Sequence, residues 1–108
     1  MTKAPEINDL TKIDHIAIQV RDGKLAETVD FYLQKFACQV EYQDDTWALL
    51  AFQNIKLAFV IHAQHPPHIA IVSPEAESFG ALKTHRDGTR SVYVDDPSSN
   101  KLEIMAPY

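Results

Sequence analysis

His68-Ile69-Ala70-Ile71 repeats His15-Ile16-Ala17-Ile18 letter for letter, 53 positions further along the chain. A later match accompanies it. Lys56-Leu57-Ala58 is echoed by Lys101-Leu102-Glu103, and Trp47 to Phe52 aligns with Val92 to Pro97, both at an offset of 45. Two offsets that differ by eight residues imply a duplicated unit whose second copy has lost eight residues between its first and later strands. A duplicated unit with an unfinished apolar face buries it against its twin, normally about a pseudo-two-fold axis.

The pattern within each copy gives the unit. Ile16, Ile18 and Val20 alternate with His15, Ala17 and Gln19, which predicts a strand over Ile13 to Val20. Asp22-Gly23 breaks it, and Asp22 is a candidate helix cap. Leu25, Val29, Tyr32, Leu33 and Phe36 then recur at helical spacing. Three strand-like runs follow at Cys38 to Gln43, Trp47 to Gln53 and Ile55 to His62, and Pro66-Pro67 ends the copy. After His68-Ile69-Ala70-Ile71 the helix has room for about two turns over Pro74 to Gly80. Ala81 to His85 and Thr89 to Asp95 flank Arg86-Asp87-Gly88, a hairpin signal, and Lys101 to Ala106 closes the chain. The expected fold is α+β: two βαβββ units forming a curved mixed sheet around a cavity, with the second helix shortened. Residues 1–12 read as a polar lead-in and 13–108 as one domain, with unit one at 13–62 and unit two at 68–106.

Composition removes several function classes. The chain has 108 residues and a formal net charge of −5, with no Lys/Arg cluster. It therefore lacks the electrostatic footprint of a nucleic-acid binder or of a protein drawn to an anionic membrane. No apolar run approaches the length of a membrane span, and the lead-in has no apolar core of a secretory signal. The single cysteine, Cys38, excludes a disulfide within the chain and reads as a small buried hydrophobe. Together these features suggest a cytoplasmic protein.

Strand parity brings chemistry into view. His15, Ala17 and Gln19 share one face, His68 and Ala70 the corresponding face of the repeat, and Lys101, Glu103 and Met105 one face of the last strand. The opposite faces are uniformly aliphatic and should lie under the helices. The mixed faces are then expected to line the concave side, aiming two histidines and one carboxylate at one cavity. Two neutral imidazoles and a carboxylate are a recognised set for a first-row divalent metal with open coordination positions. A single histidine on a strand is more often a hydrogen-bonded core or rim residue; two in identical contexts, with Glu103 converging, favour the metal reading. A local zinc site from His62, His65 and His68 is a weaker alternative, strained by Pro66-Pro67. Trp47 and Phe52 read as core or as pocket wall. Lys56 and Lys101 read as solvated strand ends or as anion contacts.

At these residues the sequence resembles the vicinal-oxygen-chelate superfamily. Ile13 to Ile18 looks like its opening strand, Phe31-Tyr32 like the aromatic pair of its first helix, and Tyr93 through Asp96-Pro97 and Asn100 to Glu103 like its closing motif. The resemblance covers residues 13 to 106 and implies metal ligands at His15, His68 and Glu103. A fourth ligand position falls on Ala58, where glyoxalase I and methylmalonyl-CoA epimerase carry Glu or Gln. The fosfomycin thiol transferases and extradiol dioxygenases are the better match. The extradiol pattern further implies catalytic roles for His85 and Tyr93 at the substrate's oxygens, although enzymes of that class are larger.

The leading expectation is a small enzyme using Fe, Mn, Ni or Zn on an oxygen-rich small molecule. The resemblance also implies a homodimer. A metal-free binding module like the bleomycin-resistance proteins is the alternative, motivated by Ala58 and the truncated second unit. An auxiliary domain covered by a partner is a third.

Overall fold

Alternating strands, one strong amphipathic helix and frequent turn residues assemble, among the described residues, into eight strands and a single α-helix. The computed structural model describes residues 6–61 and 65–108. The strands are β1 (Lys12–Val20), β2 (Gln39–Gln43), β3 (Trp47–Ala51), β4 (Lys56–Ile61), β5 (His68–Val72), β6 (Lys83–Thr84), β7 (Arg90–Asp95) and β8 (Lys101–Met105), and helix α1 spans Leu25–Lys35. They form one mixed sheet in the order β2-β3-β4-β1-β5-β8-β7-β6 that curls into a half-barrel.

The order is palindromic in the repeat. Each unit contributes a three-strand antiparallel meander whose last strand pairs in parallel with the unit's first strand. The registers also repeat: Ile16 faces Leu57 as Ile69 faces Leu102, and Ala17 faces Ala58 as Ala70 faces Glu103. The two copies meet at the antiparallel pair β1–β5, where Ile16 stands opposite Ile69. That pair is the centre of the pseudo-two-fold.

Helix α1 buries Leu25 and Val29 against Val20, Ala48, Leu50 and Phe59. Phe59 and Leu50 are fully enclosed, and burying each side chain stabilises the fold by about 1.5–3 kcal/mol. The helix opens after a turn at Gly23, where Lys24 N–H donates to the Arg21 carbonyl, and its first turn is tied by the Thr28 hydroxyl donating to the Lys24 carbonyl. Lys24, not Asp22, is the capping residue, and no side chain caps the helix N-terminus. The chain leaves the helix when Phe36 adopts an extended conformation.

The second copy replaces its helix with a 3-10 turn, Ala76–Phe79, rather than the two α-turns expected over Pro74 to Gly80. This turn packs Ala76 over Ile104 and Ala106, with Val92 alongside. Gly80 ends it at φ +149°, and a Cβ there would meet the Val92 Cγ2 at 3.0 Å, so close approach and backbone angle both call for glycine. The strand expected over Ala81 to His85 is reduced to β6. α1 lies over β3 and β4 and the 3-10 turn over β7 and β8, so neither of these elements covers the central pair on the convex side. Ile16 and Ile69 are each 38% exposed there, in contrast to the expectation that these faces lie wholly beneath helices. Cys38 lies just before β2, partly buried beside α1. No helix among the described residues is long and apolar enough to cross a membrane.

Candidate metal centre

On the concave side, the repeat symmetry brings two imidazoles to one point. His15 pairs in register with Ala70, and His68 with Ala17, so the two histidines lie diagonally across the β1–β5 ladder. Their Nε2 atoms are 3.3 Å apart. Glu103 comes from β8, the neighbour of β5, with Oε1 3.3 Å from His15 Nε2 and 3.1 Å from His68 Nε2. Three donors each about 2.1 Å from a first-row divalent ion and mutually at right angles lie about 3.0 Å apart; at the tetrahedral angle they lie about 3.4 Å apart. The triangle of His15, His68 and Glu103 therefore has the dimensions of one face of a coordination sphere, and the cavity adjoins it. The donor set fits a divalent transition metal.

The imidazoles are oriented for that task. His15 Nδ1–H donates to the Asp14 carboxylate at 2.8 Å, and His68 Nδ1–H donates to the Pro66 carbonyl at 2.8 Å. Each bond fixes the tautomer that leaves Nε2 pointing at Glu103. Asp14 reaches its neighbour because of a β-bulge. The β1–β5 register shifts between Ile13 and His15, making Asp14 the extra residue. In a regular strand consecutive side chains would face opposite sides. Tyr108 donates to the other Asp14 oxygen at 3.1 Å. Glu103 is held from behind: the Ser91 hydroxyl donates to Oε2 at 2.7 Å, and His85 Nε2 meets the same hydroxyl at 2.6 Å.

Together these groups form an ion cluster. Burial disfavours charge on His15, but the carboxylates of Asp14 and Glu103 outweigh it and push its pKa up to about 9. Burial works against the Glu103 carboxylate too, yet hydrogen bonds from His15, His68 and Ser91 hold it well below the usual carboxylate range. Asp14 is lowered by its hydrogen bond with His15.

The cavity beside the cluster has a volume of about 390 Å³. Trp47, Leu49, Ala58 and Val60 give it an apolar wall, while His65, Lys83 and Arg86 contribute to its polar side. Tyr93 also lines it. Its ring stands edge-on to His68 at 5.2 Å, and burial together with the Glu103 charge raises its phenol pKa. Trp47 is thus pocket wall, whereas Phe52 packs against the core that α1 covers. Lys56 and Lys101 are engaged away from the triangle, with Glu41 at 3.1 Å and Asp95 at 2.6 Å. His62 lies outside the described residues, and His65 lines the cavity without joining the triangle.

No protein-family model and no curated protein matches the sequence. Solved structures do match in shape. A hypothetical protein from Bacillus halodurans C-125 superposes with a TM-score of 0.66 at 18% identity, covering 91% of this chain and 95% of that one. A glyoxalase/bleomycin resistance protein/dioxygenase superfamily member from Vibrio splendidus 12B01 gives 0.63 at 10% identity, over 91% of this chain and 100% of that one. The chain has the vicinal-oxygen-chelate fold. A structure described as an NAD-dependent benzaldehyde dehydrogenase from Legionella pneumophila gives 0.60 at 14% identity, over 87% and 98% of the two chains. At these identities the likeness is one of fold alone.

Within this fold, the register makes Ala58 the counterpart of Glu103 in unit one, and its methyl group lines the cavity. The site therefore offers three protein donors on one side of the cavity and an apolar surface where a fourth would stand. Sequence reading missed Asp14, Ser91 and Tyr108. Ser91 shares the parity of Tyr93 on β7, a signal that could have found it. Asp14 is concealed by the bulge, which alternation does not reveal.

Proposed function

We propose that the chain is a small metal-dependent enzyme acting on an oxygen-rich small molecule, with His15, His68 and Glu103 holding a divalent Fe, Mn, Ni or Zn ion. The observation that carries this reading is the triangle of three donor atoms 3.1–3.3 Å apart, each oriented by its own hydrogen bond. A divalent ion bound there supplies Lewis-acid chemistry toward neighbouring oxygens of a substrate. The chain's own residues do the rest. Trp47, Leu49 and Val60 exclude water from one side of the cavity and strengthen electrostatic interactions inside it. Tyr93 faces the same space with a protonated phenol, a hydrogen-bond donor for a developing anion. His85, joined to Glu103 through Ser91, fixes the carboxylate and provides a route for a proton out of the site.

The test is metal content and turnover. The purified protein should carry close to one transition-metal ion per chain, lost in His15→Ala and Glu103→Ala, with any activity lost alongside. We further read the active form as a cytoplasmic homodimer joined through the exposed apolar strip at Ile16 and Ile69.

A second reading is a metal-free small-molecule-binding module. The buried methyl of Ala58 at the fourth ligand position favours it. Protein that takes up no metal, and binds its ligand equally well as His15→Ala, would establish that alternative.

A further inference from the structure

The charged groups around the cavity are unevenly satisfied. Every carboxylate in its wall already holds two or more donors. Asp14 accepts from His15 and Tyr108; Asp87 accepts from the Thr89 amide at 3.0 Å and hydroxyl at 2.6 Å; Glu103 is held by His15, His68 and Ser91. The cations differ. Lys83 has no ion-pair partner among the described residues. Arg86 faces one carboxylate, Asp44, at 3.5 Å, beyond ordinary hydrogen-bond length. Asp44 is itself occupied: it accepts from the Thr46 amide and hydroxyl, the Trp47 amide and the Tyr42 hydroxyl. A guanidinium with five donors is thus held at the cavity by one loose contact.

The position of Arg86 is set by the fold. It sits at the tip of the β6–β7 hairpin, next in sequence to His85, whose Nε2 is 3.5 Å from Glu103. The turn is fixed by His85 N–H donating to the Thr89 carbonyl and Gly88 N–H to the His85 carbonyl. Lys83, without an ion-pair partner among the described residues, and the loosely paired Arg86 therefore share a small cavity with the donor triangle.

From this we infer that the cavity takes a small molecule with two neighbouring oxygens at one end and an anionic group, such as a carboxylate, at the other, the anion being received by Arg86 with Lys83 beside it. The inference deepens the proposed function and rests on this cavity being the binding site. A planar guanidinium pairs with a carboxylate through two parallel hydrogen bonds, which gives selectivity as well as attraction.

Calorimetry on Mn(II)-loaded protein tests it with 2-oxoglutarate and 2-oxovalerate, which share a chelating end and chain length but differ in the distal carboxylate. The wild type should bind 2-oxoglutarate about fivefold to tenfold more tightly, a preference that shrinks with added salt because Arg86 is 71% exposed. Arg86→Gln should abolish the preference by weakening 2-oxoglutarate binding about fivefold to tenfold more than 2-oxovalerate binding. Asp44→Asn breaks the same ion pair yet keeps the cation, and should preserve or increase the preference. Equal binding of the two acids by wild type, or an undiminished preference in Arg86→Gln, overturns the inference. Should the protein take up no Mn(II), the metal reading falls separately. Glutarate binding to the metal-free protein then decides: binding lost in Arg86→Gln upholds the anion site, and no binding by wild type overturns it.

Discussion

At the scale of single residues, each donor atom of the candidate triangle depends on a neighbour outside the triangle. Asp14 is the clearest case, because it both fixes the His15 tautomer and is fixed by Tyr108. Replacing such a partner typically lowers metal affinity about 10- to 100-fold, and Asp14→Ala should do so in a competition titration without unfolding the chain. Proton linkage gives a second residue-scale expectation. The His15 pKa is raised to about 9, so its charge stabilises the metal-free chain fully below about pH 6.5 and is lost as pH rises through 9. Asp14 and Glu103 are lowered, so their contribution is present above about pH 4.5 and lost on acidification. The metal-free melting temperature should therefore be highest at about pH 5–6.5 and decline toward pH 9. Metal binding must displace the His15 proton. Its affinity should rise about tenfold per pH unit up to pH 9, with about one proton released per ion, measurable by calorimetry in buffers of different ionisation enthalpy.

At the scale of elements, legibility followed periodicity. The repeated His-Ile-Ala-Ile strands and the parity of Glu103 placed all three donors on one face before any coordinates, because a strand's alternation is written directly in its sequence. Helix α1 was equally plain from Leu25, Val29 and Tyr32. Where backbone geometry departed from a regular period, the reading failed. The bulge at Asp14 inserts one residue with no change in composition, and the segment Pro74 to Gly80 closes as a single 3-10 turn where its composition equally allows an α-helix. Asp22 is a good capping residue by type, but the turn at Gly23 places the helix start at Lys24. The second copy's economy makes Gly80 sensitive: Gly80→Ala should destabilise the protein by about 1–3 kcal/mol in urea unfolding, since the angle is strained for any Cβ and Val92 must also shift.

At the scale of the whole molecule, the loss of a second helix leaves the seam between the copies open on the side away from the cavity. Ile16 and Ile69, the symmetry centre of the sheet, are exposed apolar residues of that seam. A homodimer covering it should give twice the chain mass by light scattering at micromolar concentration, and Ile69→Asp should yield monomer that retains the metal site. The same duplication that opens one face organises the other, where two copies of a strand and one acid from a third element converge. That convergence is the central claim, and crystallography of metal-supplemented protein with anomalous data tests it most directly. One anomalous peak about 2.1 Å from the facing atoms of His15, His68 and Glu103 is predicted; a peak elsewhere, or none with those three side chains packed against one another, would contradict it.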